Sequence, residues 1–117
     1  MDELLTRITA ETGLETATAK RAVGSILSFL SAECDDPAAG KMIRETPGAE
    51  DAMAATGGEG YSGGGIMALG ASLMGMGLDM GQIQTVAQEL VNFSKGHAGA
   101  DTVDRVIASV PGLAQFV

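Results

Sequence analysis

The 117-residue sequence has little basic charge, a single cysteine and very few aromatic residues. Seven Lys and Arg stand against 15 Asp and Glu, for a formal net charge of −8, whereas a nucleic-acid-binding protein needs basic side chains to replace phosphate counterions. One cysteine excludes an intramolecular disulfide framework and a zinc ribbon. With no Trp, one Tyr and three Phe, the core must be built from smaller side chains. We therefore expect no nucleic-acid partner, no metal and no other cofactor.

The sequence is rich in small and flexible residues, with 17 Gly, 18 Ala and 7 Met. Leu, Ile, Val and Phe together number 26, which predicts a thin core packed largely with alanine in one ordinary domain. The acidic start Met1–Leu5 lacks the basic and apolar regions of a secretory signal, so we expect a cytoplasmic protein. The shortage of bases also argues against docking on anionic lipid.

An internal repeat organises the chain. Residues 13–53 align with 77–117 without a gap, at an offset of 64 residues. The identities fall on Gly, Pro and Phe at structurally demanding positions rather than on the abundant alanines. They are Gly13 with Gly77, Leu14 with Leu78, Phe29 with Phe93, Ile43 with Ile107, Pro47 with Pro111 and Gly48 with Gly112. We predict a single domain over 1–117 that contains two tandem copies, about 2–53 and 66–117, joined by a Gly-rich linker over 54–65.

Both copies carry apolar residues at helical spacing. Asp79 followed by Gln82 predicts a capping box at the start of a helix, and Gly13 and Gly77 are suited to ending the helix before. No window alternates apolar and polar residues as a strand would. The sequence thus predicts an all-α, compact multi-helix bundle. The inward positions are Ala19, Ala22, Val23, Ile26, Leu27 and Leu30 in copy one, and Ile83, Val86, Ala87, Leu90 and Val91 in copy two.

The second copy resembles a known type of bacterial domain. The run Gly77-Leu78-Asp79, a helix ending near Phe93, and Ile107-Ala-Ser-Val-Pro-Gly-Leu113 resemble the helical "VPGL" module of the VcgC/VcfE-type domain and the related YidB-like proteins. Residues 2–53 look like the N-terminal half of another bacterial helical family. The resemblance implies an all-helical bacterial fold and brings no catalytic residues, because these families have unknown functions. Copy one departs from the module, with Ala49 where the module has Leu.

The residues that could perform catalysis lack suitable partners. Cys34 has no second cysteine, and His97, the only histidine, is expected in a solvent-facing loop between helices. Asp35 and Asp36 are expected to cap a helix start rather than to form a carboxylate pair. Gly58–Gly63 spells G-x-G-x-x-G, but no strand precedes it and Glu59 would repel phosphate. We therefore predict that the protein is not an enzyme.

The segment 61–78 has no charged residue and holds three of the seven methionines. Its helix, about Ile66–Met76, would be only about 16 Å long, too short to cross a bilayer, so a membrane role is not expected. A central helix buried by close packing at Gly70, Ala71 and Gly75 is one interpretation. The other is an exposed, adaptable methionine surface that binds a partner helix or a second copy. The candidate surface comprises Ile66, Met67, Leu69, Leu73, Met74, Met76 and Met80.

The leading functional hypothesis is a non-enzymatic helical module that self-associates or binds a protein partner through this Met/Gly-rich central helix. The alternative is a small carrier whose apolar pocket lies between the two repeats. An enzyme would require Cys34 or the pair Asp35 and Asp36 to face a cleft. A peripheral membrane role is the weakest hypothesis.

Overall fold

The computed structural model describes residues 2–34, 36–55 and 65–110, and its described part is all-helical. Seven α-helices lie in these ranges, and they contain no strand. The described residues fit within 31 × 30 × 25 Å, which confirms the all-α bundle. The helices are α1 (Asp2–Thr12), α2 (Thr16–Glu33), α3 (Ala38–Glu45), α4 (Ala49–Ala55), α5 (Gly65–Gly75), α6 (Met80–Ala98) and α7 (Ala100–Ser109).

The two long helices, α2 and α6, form the centre of the bundle. They contact each other, and each also contacts α1, α3 and α5. Their buried positions follow the helical spacing read from the sequence, and Val23 and Leu90 are fully buried. The packing between the first four helices and the last three runs crosswise, because α1 lies against α6 and α5 lies against α2. Neither end of the chain therefore completes its core without the other.

The start of α6 is fixed by a capping box, as predicted. The Gln82 backbone N–H donates to Asp79 Oδ1 at 2.8 Å, and the Asp79 N–H donates to Gln82 Oε1 at 2.9 Å. The Gln82 amide also donates from Nε2 to the Thr12 carbonyl at 3.0 Å. A single side chain thus joins the first turn of α6 to the last turn of α1, which otherwise leaves its final carbonyls without helical partners.

Replacing Asp79 with alanine should lower the free energy of unfolding by about 1 kcal/mol, because α6 loses a capping carboxylate. Glu15 holds the equivalent position before α2 but makes no side-chain capping hydrogen bond. Glu15→Ala is therefore the matched control, with an expected effect within about 0.5 kcal/mol. Urea unfolding followed by circular dichroism measures both. Equal losses for the two variants would contradict the role assigned to Asp79.

Two glycines end helices in the left-handed region, as the sequence indicates. Gly13 has φ of 74° after α1, and Gly77 has φ of 100° after α5. Beyond Gly77, the Leu78 N–H donates to the Leu73 carbonyl at 3.3 Å, which is the six-to-one bond of a Schellman motif. Leu73 and Leu78 are both buried, so the turn also directs the chain back into the core.

Helix α4 and the linker differ from the predictions. No helix is predicted over Ala49–Ala55, yet Ala49 and Ala52 are buried in a helix there that packs beside α2. Residues 54 and 55 belong to α4 and Gly65 belongs to α5, so the predicted linker 54–65 is too long at both ends. Residues 56–64 lie outside the described part of the chain. The G-x-G-x-x-G run of Gly58–Gly63 lies there too.

Candidate functional site

The central helix α5 has one buried side and one exposed side. Leu69 and Leu73 are 5% and 0% exposed and lie in the hydrophobic core. Met76 is partly buried and packs against that core. Leu69 and Leu73 are spaced i and i+4, which places them on one face of the helix. The two leucines therefore form the inward face of α5, and Met76 lies in the turn that follows the helix.

The opposite face of α5 is apolar and lies at the surface. Met67 is 81% exposed and Met74 is 48% exposed. Ala71 and Gly75 are exposed as well, and Gly70 is half-buried. We call Met67, Gly70, Ala71, Met74 and Gly75 the methionine face. Its members are spaced i, i+3, i+4, i+7 and i+8, so they form one continuous stripe along α5.

The predicted surface thus divides into two groups. Met67, Met74 and Met80 are exposed, with Met80 at 50% on the first turn of α6, whereas Leu69 and Leu73 are core residues. The side chain of Ile66 lies outside what the structure describes. Gly70 and Gly75 do not pack closely against neighbouring helices, as the interpretation of a buried central helix requires, but add bare backbone to the exposed stripe.

The two glycines of the methionine face are not required by packing within the chain. A Cβ added at Gly70 or Gly75 would meet no other atom within 4 Å. Neither residue has a positive φ, so an alanine would fit at both positions. Glycine inside a helix costs about 0.5–1 kcal/mol relative to alanine, and the fold gains nothing visible in return.

The residues considered for catalysis have structural roles or lie apart. Asp36 Oδ1 accepts a hydrogen bond from the Ala38 N–H at 2.9 Å, which makes Asp36 a helix cap as expected. Cys34 is partly buried, and its thiol lies 3.8 Å from the Asp36 carbonyl oxygen. Asp35 is outside the described residues. None of these groups faces a cleft that the structure describes.

His97 is exposed, as predicted, but it does not lie in a loop. It belongs to the last turn of α6, and its ring lies 4.6 Å from the Phe93 ring, centroid to centroid. The predicted loop is therefore wrong, because the helix continues through Gly96 and ends at Ala98, before Gly99, which has φ of 92°.

One cleft of about 460 Å³ opens at the corner between α3 and α4. Its lining residues include Pro47 and Gly48 of the turn and the charged residues Arg44, Glu50 and Asp51. The predicted carrier pocket would lie between the repeats and be lined by Met and Leu. This cleft has neither that position nor that lining, so it does not support the carrier hypothesis.

The α1–α6 interface carries the one titratable group with a clear shift among the described residues. Burial raises the pKa of Glu89, and the neighbouring Glu11 carboxylate raises it further by repulsion and a side-chain hydrogen bond. The Arg7 guanidinium opposes these effects, with Nε 3.9 Å from Glu89 Oε2. A hydrogen bond between two carboxyl groups requires that they share a proton.

The raised pKa predicts how Glu89 affects stability with pH. The folded state holds the proton more tightly than the unfolded state, so the carboxyl stabilises the fold at low pH and loses that contribution as the pH rises through the folded-state pKa. Glu89→Gln should therefore be more stable than the wild type at pH 7, by about 0.5–1 kcal/mol. The difference should shrink towards pH 4. Urea unfolding of both proteins across this range measures it, and a constant difference would contradict the shared proton.

Within residues 2–34, 36–55 and 65–110, no group of three His, Cys, Asp or Glu side chains could hold a metal ion. Among the helices in the same ranges, none combines the length and the apolar character needed to cross a bilayer. In comparisons with known proteins, no family model, no curated protein and no solved structure matches the chain. The methionine face of α5 holds two of the three large hydrophobic side chains that are exposed in the described part of the chain.

Proposed function

We propose that the protein is a non-enzymatic helical module that binds a protein partner through the methionine face of α5. The observation that carries the proposal is the exposure of Met67 and Met74 on a helix whose opposite side is fully in the core. Methionine is unbranched and polarizable, so it adapts to differently shaped apolar surfaces. An amphipathic partner helix laid along such a stripe is a common mode of recognition.

The chain is further proposed to consist of two tandem copies of one helical unit. Helices α2 and α6 begin 64 residues apart, at Thr16 and Met80, and α3 and α7 end 64 residues apart, at Glu45 and Ser109. The crosswise contacts agree with this offset, because α1 on α6 is the counterpart of α5 on α2. This correspondence supports an arrangement of the copies about an approximate twofold axis.

The repeat provides an internal comparison for the methionine face. At an offset of 64 residues, Met67 corresponds to Glu3, Ala71 to Arg7 and Met74 to Ala10. All six residues are exposed. At the position of Met67 the counterpart helix presents the charged residue Glu3, and at the position of Met74 it presents the small residue Ala10. The fold accepts a charged or a small residue at these positions, so the methionines of α5 call for a reason outside folding, and partner binding supplies one.

A photo-crosslinking residue tests this proposal. A benzophenone amino acid placed at Met74 should capture a protein in the cells from which the chain comes, whereas the same residue at the corresponding Ala10 should not. The capture at position 74 should disappear when Met67 is also replaced with glutamate. Capture of equal strength at positions 74 and 10, or none at 74, would contradict a binding role for the methionine face.

A further inference from the structure

The shape and charge of the methionine face favour one particular partner. Resting on the binding role proposed above, we infer that a second copy of this chain occupies the face, with two α5 helices packed against each other about a twofold axis. The contact is formed by Met67, Gly70, Ala71, Met74 and Gly75 of both copies.

The methionine face is complementary to itself. It carries projecting side chains at Met67 and Met74, and it carries bare backbone at Gly70 and Gly75, where the space for a Cβ is open. In an antiparallel pair that sets Met74 of each helix opposite Gly70 of the other, each of these methionines projects towards bare backbone. In a twofold contact each copy presents the same patch, so the projections and the gaps that fit together must lie on one surface. Gly70 and Gly75, which packing within the chain does not require, would let the two helix backbones approach closely.

The charge of the chain limits where two copies can meet. The net charge of −8 makes two copies repel each other over most of their surfaces. The sequence from Tyr61 to Leu78 contains no charged residue, so α5 brings no repelling side chain of its own into the contact. A basic partner would instead gain most by binding the acidic surfaces elsewhere on the chain. An uncharged face on an acidic protein therefore suits another uncharged face.

The expected dimer is weak, because one 11-residue helix offers less area than a standard interface. We expect a dissociation constant of about 10⁻⁴ M. The experiment is sedimentation equilibrium on the full chain over a concentration range that brackets this value. The average mass should rise from 11.8 kDa towards twice that value as the concentration increases.

Three variants identify the contact. Met74→Glu should weaken the dimer at least about tenfold, because it places a carboxylate in an apolar contact of each copy. Ala10→Glu adds the same charge at the corresponding exposed position of α1 and should leave the dimer unchanged. Gly70→Ala should raise the melting temperature of the dilute monomer by about 2–5 °C. The same substitution should weaken the dimer about fivefold or more, because the methyl group fills the space for a partner methionine.

The opposite effects of Gly70→Ala on the monomer and the dimer separate the contact from a general change in stability. A wild type that stays monomeric over the whole range overturns the inference, as does equal weakening by Met74→Glu and Ala10→Glu. Circular dichroism checks that each variant is folded. If the wild type is monomeric while the crosslinker at position 74 captures a different protein, only the second copy is wrong. If position 74 also captures nothing, the proposed function fails as well.

Discussion

Replacing Phe29 with alanine is expected to lower the free energy of unfolding by about 3–5 kcal/mol, the range for deleting a buried aromatic side chain. Phe29 is 1% exposed on α2 and is the largest fully buried side chain among the described residues. Because the core has so few aromatic residues, few neighbouring side chains are large enough to repack into the cavity. Because small domains are stable by only about 5–15 kcal/mol, the substitution removes a large share of the total.

The measurement is urea unfolding followed by circular dichroism at 222 nm, since the chain has no Trp to report by fluorescence. Phe29→Leu is the matched control and should cost less than about 1.5 kcal/mol, because it removes less volume and keeps the site apolar. An unchanged slope of the unfolding curve would show that the loss is one of stability alone. A cost below 1 kcal/mol for Phe29→Ala would contradict its place in the core.

Replacing Leu73 with alanine should cost about 2–5 kcal/mol. Leu73 is fully buried on the inward face of α5 and its carbonyl accepts the bond that closes the turn after the helix. The substitution removes only the side chain and keeps the hydrogen bond to the Leu73 carbonyl, so the loss of unfolding free energy measures packing. The result bears directly on the site, because the methionine face requires α5 to be held with its other side inward.

Met67→Ala on the same helix is the control, with an expected change within about 0.5 kcal/mol. Met67 is 81% exposed, so its truncation leaves no cavity. A pair of similar values for Leu73→Ala and Met67→Ala would mean that α5 has no preferred inward side. In that case neither the binding proposal nor the dimer contact would stand.

The long helices could be predicted from the sequence because their determinants are local. In α2 and α6 the apolar residues repeat every three or four positions, and the polar residues between them fix which side is buried. The capping box at Asp79 needs only a partner three residues away. The two turn glycines, Gly13 and Gly77, are equally local signals, since each is set by the backbone angle of one residue.

The remaining features depend on contacts between distant segments. Helix α4 is seven residues long and rich in alanine, too short to be stable without α2 beneath it. On α5 nearly every position is apolar or small, so the pattern does not tell which side faces the core. The proximity of Glu11 and Glu89 joins residues far apart in the chain, which no local spacing reveals. The end of α6 does not follow from the sequence, because Gly96 and Gly99 offer the same helix-ending signal.

The bond from Gln82 to the Thr12 carbonyl spans 70 residues and has a consequence for biosynthesis. Helix α1 leaves the ribosome before α6, against which it packs, and 70 residues separate Thr12 from Gln82. Translation proceeds at about 5–20 residues per second, so the apolar side of α1 is made several seconds before α6 can pack against it. Leu4, Leu5 and Ile8, which end in the core, are meanwhile open to chaperones and to neighbouring nascent chains. The crosswise packing that completes the finished core therefore sets the period in which the growing chain most needs protection.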